Sequence, residues 1–171
     1  MSDIRQIRIG KLTLNIGTGK EQDKLEKGLK LLRNMTGRVP VKTKSKKRIP
    51  NWGLRLGLPI GCMVTVRKAA AMELLGRLVS GRDNRLKESN FDDFGNIAFG
   101  IPEYIDIPGV KYDPEIGVMG LQATVTLERA GYRVKRRAAM SRRLPVRHRI
   151  TRQEAVEFMK SNFDVGVGEV E

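Results

Sequence analysis

With 33 Lys and Arg against 19 Asp and Glu, the 171-residue chain carries a formal charge of +14 and a pI near 10.3. Its length allows one domain or at most two, and 40% apolar residues suffice for a core, which excludes disorder throughout. The single cysteine, Cys62, excludes an internal disulfide and points to a reducing compartment, and no run approaches the ~20 apolar residues of a membrane span.

The opening Met1-Ser2-Asp3-Ile4-Arg5 lacks the apolar core of a signal peptide, so a cytoplasmic protein is expected. Ile7 and Ile9, then Leu12, Leu14 and Ile16, alternate with polar neighbours, and the parity slips once at Gly10-Lys11, as in a strand with a bulge. After Gly17-Thr18-Gly19, the spacing Leu25, Leu29, Leu32, Met35 is that of a helix, with Gly37 as its stop. Val39-Pro40-Val41 and Cys62 to Lys68 read as strands joined by a long basic loop, 45–61, of a size that is usually functional. Ala69 to Val79 reads as a second helix burying Met72, Leu75 and Leu78 or Val79 and ending at Gly81. A turn at Phe91 to Asn96 leads into a short strand, Ile97 to Ile101. Leu121 to Glu128 alternates strictly, with Gln122, Thr124, Thr126 and Glu128 on a solvated or RNA-facing side. Thr151-Arg152-Gln153-Glu154 is a capping box for a last helix with Val156, Met159 and Phe163 on one face, and the tail from Asp164 is expected to be loose. The order predicts an α+β fold, with a mainly antiparallel sheet, helices packed on one face and the other face open for binding. With no composition break, residues 1–171 are read as one domain.

The charge is segregated. No acid lies between Glu26 and Glu73, an interval holding twelve Lys and Arg, and none between Glu128 and Glu154, whose basic tract 129–152 holds ten. Between them, Glu73 to Glu128 carries ten carboxylates. Like charges held together cost self-repulsion unless a polyanion offsets it.

Enzyme motifs fail one by one. Gly17-Thr18-Gly19-Lys20 lacks the first Gly of a phosphate-binding P-loop, where Leu14 stands, and its Ser or Thr, where Glu21 stands. One His, His148, and one Cys leave no metal or nucleophile constellation. Asp92-Asp93 and Asp113-x-Glu115 sit beside Gly or Pro and read as turn formers rather than as Mg²⁺ ligands. No enzyme and no cofactor is expected.

Leu12 to Gly17, Thr36 to Lys44 and Gly57 to Arg67, followed by Phe94 to Ile101, Ile107 and Tyr112 to Leu121, resemble in order and spacing the universal large-subunit ribosomal protein family that binds 5S rRNA, often called protein five. The chain looks like the archaeal and eukaryotic branch, with an archaeal source preferred. It reaches its first strand without the helical N-terminal segment of bacterial members, and it adds the tract near Arg136 to Arg149. The resemblance implies a structural part in the central protuberance of the large subunit. Its partners there would be 5S rRNA, large-subunit rRNA, other central-protuberance proteins, a small-subunit head protein at an intersubunit bridge, and the peptidyl-site tRNA, reached by the basic loop. Carried over by position, the 5S-contacting residues are Asn15, Arg38, Thr65 and Arg67, with Arg38 departing from the Gln common in bacterial members.

Read from the residues alone, Asn15, Thr65 and Arg67 lie on the polar side of strands that turn Leu14, Ile16, Val64 and Val66 to the core. There they either reach ribose, phosphate or unstacked bases or satisfy neighbouring backbone. Lys42, Lys44, Lys46 and Lys47 would add phosphate contacts, and it is the resemblance that implies a tRNA-contacting part of the loop at Arg48, Asn51, Trp52 and Arg55. Trp52 either stacks on a nucleotide or packs the loop's own base against Leu54. Readings from other classes are a free-standing RNA-binding regulator or RNA chaperone, an RNA-modifying or RNA-cleaving enzyme, and a membrane-surface protein. The last lacks an amphipathic apolar face to match its charge.

Overall fold

The structure, a computed structural model, describes residues 4–168. Strand β1, Arg8–Gly17, carries the anticipated bulge: its pairing with Leu121–Glu128 jumps between Ile9 and Lys11. Gly10 fills the bulge because the Glu128 side chain lies across it, and a Cβ would meet the Glu128 Cδ at 2.4 Å. Helix α1, Gln22–Thr36, buries Leu25, Leu31, Leu32 and Met35, and ends at Gly37 in the left-handed conformation (φ 64°), whose N–H donates to the Arg33 carbonyl at 2.8 Å.

Two strand boundaries shift from expectation. Strand β2 is Val41–Lys44, so Val39-Pro40 lies outside it; both valines are exposed, and Pro40 has no N–H to give a ladder. Strand β3, Pro59–Val66, starts three residues before Cys62, because Gly61 lets the backbones approach: a Cβ there would stand 2.6 Å from the Ile16 carbonyl oxygen. The loop is therefore 45–58 rather than 45–61. Cys62 is buried, which pushes its thiol up to about 11 and leaves it a poor nucleophile.

Helix α2, Ala69–Ser80, buries Ala71, Leu74, Leu75, Leu78 and Val79. Met72, expected in that stripe, is 40% exposed. The apolar arc is centred on the Ala71, Leu75, Leu78 ridge, one residue round the helix from Met72. Then come β4, Arg85–Leu86, β5, Asn96–Ile101, β6, Leu121–Glu128, the short α3, Arg133–Arg136, α4, Arg152–Phe163, and β7, Gly166–Val167. The tail is not loose where it is described. Asp164 (φ 53°) turns the chain, Val165 is buried, and β7 pairs in parallel with β4. Residues 169–171 lie outside the described residues.

Five strands form one antiparallel sheet in the order β2-β3-β1-β6-β5. Leu12, Leu14, Ile16, Val64, Val66, Ala123, Val125 and Leu127 face the helices in one core with Leu25, Leu75, Leu78 and Met159. Among the described residues no long helix packs on the opposite face, and only the short α3 reaches its end, where Arg136 pairs with Glu128.

Candidate nucleic-acid interface

Strand register decides which side chains stand together, because directly opposed residues share a face. One row crosses all five strands: Val41, Met63, Asn15, Gln122, Gly100. The next runs Thr65, Thr13, Thr124, Ala98, and a third brings Lys11, Thr126 and Asn96 together. In a chain of charge +14, half of the residues in these pairings are neutral polar, Asn15, Gln122, Thr13, Thr65, Thr124, Thr126 and Asn96, and only Arg8, Lys11 and Glu128 carry charge. The one carboxylate among these pairings, Glu128 opposite Arg8, is held by the Arg136 guanidinium at 2.8 Å. Hydroxyls and amides of this kind donate and accept, as ribose hydroxyls and base edges require, while cations add the charge that draws phosphate.

The cations lie at the rim. Arg67 follows β3 and Arg38 follows α1, both exposed. Lys42 lies opposite Cys62, whose side chain is in the core, so Lys42 leaves the edge strand on the helix side, away from Asn15 and Thr65. The site residues expected from the sequence thus divide between two sides of the sheet.

The loop 45–58 is a folded projection. The Ser45 N–H donates to the Leu58 carbonyl at 2.8 Å, the Gly57 N–H to the Ser45 carbonyl at 3.0 Å, and Ile49 and Leu54 exchange both backbone bonds at 3.0 Å. The Ser45 hydroxyl closes the first arm on the Lys47 carbonyl at 2.7 Å. The tip, Pro50–Trp52, is one turn of 3₁₀ helix ended by Gly53 in the left-handed region. Leu54 is buried beneath it, while the Trp52 side chain is 68% exposed and does not serve as the loop's core. Lys46, Lys47, Arg48, Asn51 and Arg55 are all exposed around it.

The tract 129–152 is tied into the fold at several points. Arg129, at 7% exposure, donates to the Glu154 carboxylate at 2.5 Å and to the Arg149 carbonyl at 3.3 Å. The Tyr132 hydroxyl donates to the His148 carbonyl at 3.2 Å and accepts the Ile150 N–H at 3.0 Å. Arg152 grips the Phe91 carbonyl through two nitrogens. The capping box of α4 is formed: Thr151 accepts the Glu154 N–H and Glu154 accepts the Thr151 N–H. Burial raises the Glu154 carboxyl, but the Thr151 amide and the Arg129 guanidinium together outweigh it and hold the group below its usual 4.5. A lowered folded-state pKa gives stability that is complete above the unfolded value and lost as pH falls through the folded one. The melting temperature of the native chain should therefore exceed that of Glu154→Gln at pH 7, and the gap should close as pH drops below about 4. A gap of the same size at pH 3 would show that this carboxylate carries none of the acid sensitivity.

Two motifs set aside on sequence grounds behave as turns. The N–H groups of Thr18 and Gly19 both donate to the Ile60 carbonyl, at 3.0 and 3.1 Å, so they do not point at a phosphate. Asp92 accepts from the Phe94 and Asn96 N–H groups and from the Asn96 amide, while Asp113 caps Glu115 and, with Glu115, pairs with Lys30. Among the described residues no cluster of His, Cys, Asp and Glu could hold a metal ion, and no helix is long and apolar enough to cross a membrane.

Comparison with known proteins identifies the family. The family described as ribosomal protein L5 matches residues 2–55, and the model described as the C-terminus of that ribosomal family matches residues 59–165. This chain belongs to the ribosomal protein L5 family. It is 44% identical over 164 residues to the large ribosomal subunit protein uL5 of Sulfolobus acidocaldarius, covering 96% of this chain and 92% of that one. To the uL5 of Nanoarchaeum equitans it is 48% identical over 165 residues, covering 96% and 97%. The uL5 of Methanosphaera stadtmanae is 44% identical over 159 residues, covering 93% and 95%. An L5-family chain is a structural protein of the large ribosomal subunit and not an enzyme. The two matched segments meet in the projecting loop, and the central sheet draws strands from both: β1 and β2 from the first, β3, β5 and β6 from the second.

In this L5-family chain Asn15, Thr65 and the polar side of β6 stand on the open face, as the alternation of their strands predicts. Thr13, Val41 and Met63 join them without having been singled out by the sequence. Thr13 is legible, since it stands between Leu12 and Leu14 in the same alternation. Val41 and Met63 are not, because apolar side chains on an exposed face look like core until the helices are placed.

Proposed function

We propose that the open sheet face binds 5S rRNA, and that the projecting loop, with Arg48, Asn51, Trp52 and Arg55, contacts the peptidyl-site tRNA. The observation that carries this reading is the patch of neutral polar groups, Asn15, Gln122, Thr13, Thr65 and Thr124, in adjoining rows of a face on which no long helix packs among the described residues. Such a surface reads shape, ribose and bases, while Arg38, Arg67, Lys44, Lys46 and Lys47 supply phosphate contacts that position the RNA; Lys42, which leaves on the helix side, lies outside this patch. The exposed indole of Trp52, held on a braced tip, offers a stacking surface rather than packing for its own loop. On this reading residues 1–171 act as one unit in the cytoplasm, within the central protuberance. Large-subunit rRNA and neighbouring ribosomal proteins, including one at a bridge to the small-subunit head, are its further partners.

A titration of the purified protein against 5S rRNA and an unrelated RNA of equal length, across a salt series, tests it. Phosphate contacts weaken together as salt rises, so a 5S preference that persists at high salt is the expected result. Equal affinities collapsing in parallel would reduce the charge to a generic polyanion surface and end the proposal for the sheet face.

A further inference from the structure

The second basic tract encloses a cleft of about 480 Å³, within the ~300–1,000 Å³ range of small-ligand sites, that lies on none of the open-face rows. Phe94 forms one wall, and its ring is 62% exposed although it is a large apolar side chain in the turn leading into β5. Facing it are Tyr132, Lys135, Arg142, Arg143 and Arg149. The walls are held in place. The Ser141 hydroxyl donates to the Lys135 carbonyl at 3.1 Å and the Arg142 N–H to the Val134 carbonyl at 3.3 Å, folding 141–144 back on α3. Tyr132 is fixed by its two hydroxyl bonds and by an edge contact with the His148 ring at 5.8 Å.

Among the described residues no carboxylate lines the cleft. Asp92 is engaged by its own turn, Glu128 by Arg136 and Glu154 by Arg129, which leaves Asp93, exposed beside Phe94 but outside the lining, as the one neighbouring acid without a partner among the described residues. Among the described residues the side chains of Lys135, Arg142 and Arg143 make no hydrogen bond or ion pair, so three cations converge without an internal counter-charge. An exposed aromatic face beside unpaired cations is the arrangement that takes a base by stacking and its flanking phosphates by charge. A paired duplex would not offer the face of a base.

We propose that this cleft is a second RNA site that captures an unpaired nucleotide of a single strand, its base on Phe94 and its flanking phosphates on Lys135, Arg142 and Arg143. An acidic peptide would satisfy the cations but leave Phe94 without a stacking partner, which favours RNA.

The test is fluorescence anisotropy of labelled hexauridylate with the full chain over a salt series. Phe94→Ala should weaken binding about fivefold or more, the lower bound for one lost stack, without changing the salt slope, and Phe94→Tyr should restore it. The double variant Arg142→Ala with Arg143→Ala should lower the slope of log K against log salt by about 1.4, or ~0.7 for each phosphate contact on a single strand. Full affinity in Phe94→Ala would overturn the site. Displacement of hexauridylate by AMP or by a glutamate peptide as readily as by unlabelled RNA would overturn the assignment to an RNA strand. Lys27→Ala, an exposed cation of α1 outside the cleft and the open face, should leave hexauridylate binding and its salt slope unchanged; a loss there as large as in the arginine variant would mean that any surface cation serves and would overturn the cleft independently of how 5S rRNA behaves.

Discussion

Thr65→Glu should lower affinity for 5S rRNA by about a hundredfold while the protein keeps its fold. Thr65 stands opposite Thr13 in the middle of the open face and is only partly covered, so a longer side chain there meets no core. A carboxylate pressed against an RNA surface sets like charges together, which costs several kcal/mol, and about 2.7 kcal/mol corresponds to a hundredfold. Asn15→Ala with Thr65→Ala removes two hydrogen-bonding groups and should cost less, roughly 1–3 kcal/mol in total. Lys46→Ala with Lys47→Ala should instead weaken 5S and unrelated RNA alike and flatten the salt dependence, because phosphate contacts carry no sequence information. If the lysine pair abolished the 5S preference and Thr65→Glu did not, the specific surface would lie in the loop rather than on the sheet.

Arg129→Ala should be the most damaging single change in the second basic tract, lowering stability by about 2 kcal/mol. Breaking a fully buried pair costs about 3–5 kcal/mol, and the figure is reduced here because the Glu154 carboxylate is about a third exposed and rehydrates. For a chain of this size that amounts to a fall of roughly 4–8 °C in melting temperature. Arg129 joins three things at once: the end of β6, the carbonyl of Arg149 and the N-terminal cap of α4. Its loss should also raise hydrogen exchange at Tyr132 to Ile150 while the β1–β3 amides stay protected. Uniform loss of protection across the sheet would mean that the tract and the core unfold as one.

Much of this architecture is readable from the residues. The stop at Gly37, the capping box at Thr151 and the alternation of β6 are local signals, each set within a few positions along the chain, while the bulge at Gly10 shows locally as a slip of parity although the Glu128 side chain that lies across it comes from far along the chain. Where local signals mislead, the deciding contact comes from far along the chain. Met72 fits a helical stripe and so reads as core, yet the sheet meets α2 on the neighbouring ridge. The tail after Asp164 reads as loose because it is short and Gly-rich, and it is held by β4, some eighty residues earlier. Pro59 reads as a loop residue until Gly61 brings β3 against β1.

For the interface the division is similar. The segregation of charge, the absence of catalytic and metal constellations, and the polar side of each strand follow from the sequence by itself, because composition and period-two patterning need no partner strand. Only the tertiary structure decides that Asn15, Gln122 and Thr65 share a face while Lys42 leaves by the other, that Trp52 is presented to solvent over a buried Leu54, and that Phe94, Arg142, Arg143 and Arg149 line one cleft. Those facts depend on which strands pair and in what register, and a shift of one residue would turn every side chain on a strand to the opposite face.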